Sequence, residues 1–565
     1  MISMQFIIKS LASISILLFP TISFTQSTYL PQGHKHQQLL DRLEIKLQKN
    51  NDLNLSTVKP LSRRFAVSVA ENVDSIHHLT GNLLSPVDQY NLRSLLMNNS
   101  EWVQGDKIDF RSRRSIWNTF YTTKANLVEV DEKDFFLAVN PVIQQQISFE
   151  SDNNQRVFLN SKGLRFRGLI AERIGFSGYI TDNQERPPSF VQDRIRNDHS
   201  VPGFGRFNPF KTTGYDYFDA RGSFTFTAAK YLDFQFGFDK NFIGNGYRSL
   251  MLSDFGNSYL FLKINTRIWK LNYMNLFTEL TPQFKRDGSD KLLDRKYAAI
   301  HHLSVNATSW LNVGVFEAII FGRKNHFDFT YLNPIIFLRA AERNNNSADN
   351  ALVGFDFKAN IARRLQLYGQ WMLDEFLLKE LRSGNGWWGN KYGVQLGGKY
   401  IDVFKIPNLD LQGELNWARP FTYSHHDSIS NYTHYNQALA HPFGANFMEA
   451  IGVIRYQPHP KWTSSARLIY WKQGLDSTSS NFGGNIFKLN TSRQRDYGYS
   501  IPEGVGAKGI NAQLLVSYEV KENVFLDASV LFRRYRVAEN ISRNNNSNVI
   551  TAGLRMNMFR REYDY

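Results

Sequence analysis

The sequence contains no cysteine in 565 residues. That excludes a disulfide-stapled scaffold, cysteine-ligated zinc, thiol catalysis and lipid attachment to an N-terminal cysteine. Long hydrophobic runs are also missing. Mean hydropathy is −0.38, whereas each helix of a membrane bundle needs about 20 consecutive apolar residues. No GxSxG, HExxH or P-loop pattern occurs, so no enzyme activity, cofactor or nucleic-acid partner is expected. What the chain has in quantity is aromatic residues, 14% of the total, too many for a disordered polymer. Its net charge of +15 favours an acidic partner only as a weak, salt-screened tendency.

Residues 1–25 read as a secretory signal: Lys9, an apolar run from Leu11 to Phe19, and Ser23-Phe24-Thr25 before a cleavage point at Gln26. Residues 26–125 read as a small helical domain. Leu39, Leu40, Leu43 and Leu47 share one helical face, and Leu61, Phe65, Val69 and Val73 mark a second periodic stretch. Ser85-Pro86-Val87-Asp88 places Ser at an N-cap, Pro at N1 and Asp at N3.

Residues 126–565 switch to a period of two. Phe234, Phe236 and Phe238 alternate with Gln235, Gly237 and Asp239; Phe355 and Phe357 with Asp356 and Lys358; Leu415 and Trp417 with Glu414 and Asn416. Each such strand has one apolar and one polar face. Short turns fall near 172–173, 229–230, 266–267, 309–310, 362–364, 403–407, 458–461 and 521–523, and long polar loops lie between them. That asymmetry is the signature of an outer-membrane barrel with short periplasmic turns and long extracellular loops. The expected fold is therefore all-β, a transmembrane antiparallel barrel of about 18 strands with an N-terminal periplasmic helical domain. Tyr231, Trp269, Trp310, Trp462 and Phe525 beside the short turns suit an interfacial belt. A last strand from Val549 to Phe559 leads to Tyr565.

Candidate binding residues cluster in the long loops. Tyr423, Tyr432 and Tyr435 beside Asn431 join aromatic rings to amides, a combination suited to stacking on sugar rings. His425, His426, Asp427, His434 and His441 share that loop, but their spacing matches no metal-site pattern, so no metal is expected. Gly384-Asn385-Gly386-Trp387-Trp388-Gly389 has the letters of a dinucleotide loop, but it leads into a strand and reads as a tight loop with Trp387 and Trp388 at the rim, where they join the candidates for contact with a glycan. Arg248, in a glycine-rich segment, is a candidate for gripping carboxylate or phosphate. The apolar segment 331–340 is expected to fold into the lumen or under another loop, with Arg339 and Glu342 facing inward. Glu317 breaks the apolar phase of Leu311, Val313 and Val315, and is expected to turn inward or to pair with an inward Arg. Together with Lys358 and Glu414, these residues would form a lumen charge network.

The phrases Asp239-Lys240-Asn241-Phe242-Ile243-Gly244-Asn245-Gly246-Tyr247-Arg248-Ser249-Leu250 and Tyr331-Leu332-Asn333-Pro334, with the signal, helical region and alternating strands, resemble the Wzi-like capsule assembly barrels, in particular a Bacteroidota branch that includes RemB-like gliding motility proteins. The resemblance implies an 18-stranded barrel, occluded by helices and loops, that acts as an outer-membrane lectin anchoring capsular polysaccharide. The expected partners are thus an acidic or neutral surface polysaccharide, outer-membrane lipids, and gliding or capsule export machinery. The rival readings are a motility or adhesion component and a passive diffusion channel.

Overall fold

A computed structural model of the protein describes residues 27–565 apart from 82, 152, 286–291, 336, 345–346, 348 and 539–542. The expected signal segment lies outside the described residues. Eighteen antiparallel strands close into one barrel. They are β1 (Phe135–Glu150), β2 (Val157–Ile170), β3 (Ile174–Arg186), β4 (Gly214–Ala229), β5 (Leu232–Asp239) and β6 (Tyr259–Ile268). Next come β7 (Leu271–Leu280), β8 (Lys296–Asn306), β9 (Leu311–Phe321), β10 (Asn350–Ile361), β11 (Leu365–Glu375) and β12 (Lys391–Tyr400). The wall ends with β13 (Leu409–Ala418), β14 (Phe447–His459), β15 (Trp462–Leu475), β16 (Val505–Lys521), β17 (Val524–Val537) and β18 (Asn545–Met556). β18 pairs back on β1, from Val549 opposite Glu150 to Met556 opposite Ile143, which leaves no wall strand with a bare edge.

Alternation sets the two faces. On β17, Leu526, Val530 and Phe532 are exposed on the outer wall while Asp527 and Arg533 are buried inside; adjacent residues of a strand point to opposite sides. Short turns mark one end and long loops the other. One turn lies later than expected: β6 continues past 266–267 until Ile268 pairs with Leu271, and Trp269 takes the left-handed φ of +54° in the tight turn. Tyr231, Trp269, Trp310 and Trp462 are exposed at the short-turn end. Phe525 is not: it shares the inward phase of Asp527 and lies under the Arg555 guanidinium, 4.2 Å from the ring centre.

Helices α1 (Gln37–Leu47), α2 (Asn51–Asn54), α3 (Arg63–Thr80) and α4 (Pro86–Met97) plug the short-turn mouth. Leu39, Leu40, Leu43, Val69, Val73, Leu92 and Leu95 form their shared apolar core. Ser85 and Asp88 make the reciprocal capping box at the start of α4. The plug is fastened to the wall by buried ion pairs. Arg42 meets Asp88 at 3.1 Å and Asp402 at 2.8 Å, and also Asp410. Lys399 meets Asp41 at 2.7 Å, and Arg167 meets Glu101 at 2.9 Å. Deeper in, Val58–Lys59 pairs as a short strand with Phe242–Ile243.

The lumen is filled from the other side as well. Ile243 and Leu250 to Leu252, from the segment joining β5 to β6, pack with Tyr423 and Tyr432 from the segment joining β13 to β14. Against them stand Met274, Leu276, Ile300, Phe316 and Ile320 from the inward phase of β7 to β9. Beyond Met556 the chain turns into the lumen rather than continuing the wall. Asp564 bonds Arg248 at 3.1 Å, and the Tyr565 main-chain oxygen accepts from Arg533 at 2.6 Å.

Candidate functional site

The long-loop end holds a cleft of about 760 Å³. One side is built by helix α5 (Ser189–Asp198) from the loop after β3. Phe190, Val191 and Ile195 seat that helix against Tyr215, Tyr217, Leu531 and Val549. Glu150 fixes its first turn by accepting from the Ser189 amide at 3.0 Å and the Ser189 hydroxyl at 2.7 Å. The other side comes from inward side chains near the tops of β15 and β17 and from the loop before β14.

Aromatic rings and guanidinium groups interleave there. Phe443 and Trp471 stack with ring centres 5.3 Å apart, and Tyr535 lies beyond Trp471 at 6.3 Å. The Arg533 guanidinium sits 4.4 Å from the Phe190 ring and 5.1 Å from Trp471. Arg194 lies 4.1 Å over Tyr565, which forms part of the floor. Arg196, Lys285 and Arg543 add cationic groups to the lining, against Asp193 and Asp198. Trp471 Nε1, Arg533 Nε and Tyr565 OH are buried without a hydrogen-bond partner, although Trp471 is only 1% exposed. These atoms are enclosed by protein; the rings that open onto the cleft are those of the half-buried Phe443 and Tyr535, which pack on Trp471. Partly exposed rings for stacking and guanidinium forks for carboxylate or phosphate are chemistry suited to sugar recognition.

Below Tyr565 lies a second chamber of about 590 Å³, bounded by α1 and residues 559–565. Its upper edge is a tight charge network of Arg248 with Glu449 at 3.4 Å and Asp564 at 3.1 Å. His441 meets Glu449 at 2.7 Å. Burial pushes the Asp564 carboxyl up, but Arg248 and Arg467 outweigh it and hold the group at about 2.

Most residues singled out from sequence lie elsewhere. Tyr423 and Tyr432 are buried, and their hydroxyls donate to the main-chain oxygens of Leu250 at 2.7 Å and Met251 at 2.6 Å. Asn431 is buried too, accepting from Lys296 at 2.9 Å. Their loop folds inward, so the three support the lumen core instead of presenting a surface. Tyr435 stacks edge-on with Phe284 of the cleft, 4.8 Å away. Trp387 and Trp388 stand at the rim, where Arg493 lies 4.0 Å over Trp388, away from the cleft. Arg248 is spent on internal carboxylates.

Of the expected lumen network, Lys358 and Glu414 do face inward. Lys358 meets Glu44 of the plug at 2.7 Å, and Glu414 accepts from the amides of Tyr247 and Arg248 at 2.6 and 3.0 Å. Glu317, Arg339 and Glu342 do not. Glu317 keeps the outward phase and is buried because the described residues of 322–349, Tyr331 and 337–339 among them, fold back over the outer wall, not into the lumen. The amides of Phe337, Leu338 and Arg339 donate to its carboxylate at 2.5, 2.7 and 3.0 Å. His425, His426 and Asp427 do lie within 4.8 Å of one another; the amides of Ile429 and Ser430 donate to the Asp427 Oδ1 at 2.7 Å each, and its Oδ2 lies 3.3 Å from His425 Nδ1.

The fold is that of an 18-stranded outer-membrane β-barrel with a filled lumen. The chain matches no family model and no curated protein. Among solved structures it is similar to Wzi of Escherichia coli, described as an outer membrane protein involved in group 1 capsule assembly and a carbohydrate binding beta-barrel. The TM-score is 0.54 at 14% identity, over 95% of this chain and 100% of that one. Weaker likenesses are to OprD of Pseudomonas aeruginosa, with a TM-score of 0.40 at 10% identity over 74% of this chain and 94% of that one, and to OccAB4 of Acinetobacter baumannii, with a TM-score of 0.41 at 10% identity over 75% and 98%. At these identities the likeness concerns the fold alone.

Proposed function

We propose that the protein is a non-enzymatic outer-membrane lectin that holds surface polysaccharide in the long-loop cleft, with the long loops outside the cell and the helical plug in the periplasm. The observation that carries this reading is the half-buried rings of Phe443 and Tyr535, packed on Trp471, beside the cationic groups Arg194, Arg196, Lys285 and Arg543 of the cleft lining. The cationic excess of the lining favours a glycan bearing carboxylate or phosphate. Contacts of modest strength, repeated along a polymer and across many barrels, give retention by multivalency. The carbohydrate binding described for the Wzi structure agrees with this reading, and the filled lumen speaks against a passive pore.

The test is the distribution of polysaccharide between cells and medium in a deletion strain, complemented with the parent gene or with a Phe487→Ala/Tyr535→Ala variant, Phe487 being another half-buried ring of the cleft lining. Release of polymer at unchanged total synthesis, restored by the parent and not by the variant, supports the lectin. An unchanged distribution in the deletion strain overturns it and favours a motility or adhesion role.

A further inference from the structure

The outer wall carries a feature the glycan cleft does not use. Asn275 on β7, His301 on β8 and Glu317 on β9 are register neighbours, and all three share the lipid-facing phase of Leu271, Leu303 and Val315. Polar groups on that phase are costly against hydrocarbon. The described residues of 322–349 cover them: Tyr331 and Leu338 pack on Phe277, Tyr297, Ile319 and Phe321, and helix α6 (Leu338–Asn344) begins on the Glu317 carboxylate. Tyr331 and Arg323 lock the segment through Asp349, at 2.6 and 2.5 Å.

The height of this pad sets its surroundings. β9 has 11 residues, which on a tilted wall rise about 28 Å, close to the roughly 25 Å apolar band of such barrels. Glu317 lies four residues below the upper end of β9 at Phe321, about 10 Å down. The pad therefore reaches into the hydrocarbon of the leaflet on the long-loop side. Its outward side chains suit that setting: Phe329, Ile335 and Phe337 are 79%, 68% and 75% exposed.

Directly below, the wall has a groove of about 680 Å³ lined by Leu271, Val313, Val315, Phe355, Trp371 and Leu396. Gly369 opens it: a Cβ there would come within 2.6 Å of Phe357 and 3.1 Å of Leu396. The groove begins two residues below Glu317 and descends to about 20 Å from the rim, within reach of an acyl chain. Above it, Arg339 and Arg343 stand one turn apart on α6, exposed and without an ion pair among the described residues. Glu342 offsets part of their charge.

We infer that the outer wall of β7 to β12, capped by the 322–349 pad, is a binding site for a phosphate-bearing membrane lipid. Its acyl chain lies in the groove, and its phosphate meets Arg339 and Arg343. The apolar slot and the cationic pair stand at the relative heights of a lipid's chain and headgroup, and snorkelling guanidinium groups are suited to that boundary.

The test is native mass spectrometry of the intact barrel in detergent, titrated with phosphatidylglycerol, a neutral diacylglycerol glucoside or inorganic phosphate. Phosphatidylglycerol should bind in preference to the glucoside, and free phosphate should not bind. The Arg339→Gln/Arg343→Gln variant should lose phosphatidylglycerol affinity about 30-fold, the loss expected for two surface cations. Val315→Trp, which fills the slot, should reduce occupancy of both lipids. Both variants change outward side chains, and heat-modifiable migration on gels confirms folding. Equal retention of the two lipids, no lipid retention, or an unchanged double variant overturns the site, and none of these outcomes bears on glycan retention.

Discussion

Replacing Arg42 by Met should undock the helical plug while leaving the wall intact. Arg42 is 4% exposed and Asp88 fully buried, and one guanidinium serves Asp88 on α4, Asp402 in the β12–β13 turn and Asp410 on β13. Without it, Asp88 retains Lys46 at 2.6 Å and Asp410 retains Gln38 at 3.2 Å, so buried carboxylates are left underpaired. Breaking a buried pair in this way costs about 3–5 kcal/mol. At tenfold per 1.4 kcal/mol, the population of the undocked plug should rise by between roughly 10²-fold and roughly 4,000-fold. The assay is amide hydrogen exchange in detergent micelles, comparing peptides over 37–47 with those of β15 to β17; local opening exposes the first set alone. Protection of 37–47 within threefold of the parent would refute the reasoning. A pH series gives an independent check. Burial raises the Asp88 carboxyl, but Arg42 and Lys46 outweigh it and hold the group well below the usual carboxylate range. A group depressed in the folded state stabilises docking above its unfolded value of about 4, and that contribution is lost as pH falls through the folded value. In the parent, plug exchange should therefore accelerate on acidification below about pH 4, and the dependence should flatten in Arg42→Met.

Gly509 lies opposite Trp471 in the wall, and a Cβ there would come within 2.0 Å of the indole. Gly509→Ala should displace that ring from beneath Phe443 and Tyr535 at a cost of about 1–3 kcal/mol and release polysaccharide from cells; retention equal to the parent would show that the rings of the cleft do not depend on Trp471. Glu317→Gln keeps the size of the side chain but loses the charge-assisted bonds to three amides, about 1–3 kcal/mol. Trypsin should then cut the pad at Lys324, Arg339 or Arg343 faster than in the parent, and equal rates would argue against the pad's anchor. Ser85→Ala removes one half of the capping box and should cost the α4 docking about 1 kcal/mol, read as faster exchange over 86–97 with no change over 37–47.

The wall was legible because its constraint is local. A period of two and the alternation of short turns with long loops follow from strands crossing an apolar band, and the Ser85 cap follows from side-chain chemistry within four residues. What escaped is whatever depends on a segment folding back. Tyr423 and Tyr432 look like exposed loop tyrosines, and only the inward course of their loop makes them core. Glu317 has the outward phase in the sequence and keeps it; its environment is set by residues 337–339, brought back over the wall. Phe525 was misread because proximity to a turn was weighed above phase. The cleft had a usable signal: Trp471, Arg533 and Tyr535 sit on the inward phase near the upper ends of β15 and β17. The phase alone makes Arg533 an inward cation, but no local rule pairs it with an indole from another strand.

The way the lumen is filled bears on how such a barrel would work. A gated pore needs an element that can leave cheaply. Here the segments occupying the lumen are tied to one another as well as to the wall. Arg248 binds both the final segment, through Asp564, and the wall, through Glu449; His441 of the β13–β14 loop shares Glu449; and Gln370 accepts from the Leu250 amide at 2.8 Å while donating to the Ile243 carbonyl at 3.0 Å. Withdrawing any one segment leaves buried polar atoms of the others unpaired, each at about 1–3 kcal/mol, so the costs accumulate. For the polymer-holding role proposed above, a rigid floor beneath the cleft would be an advantage: the rings of Phe443 and Tyr535 and the Arg194 guanidinium are pre-positioned, so little conformational entropy would remain to be lost on binding.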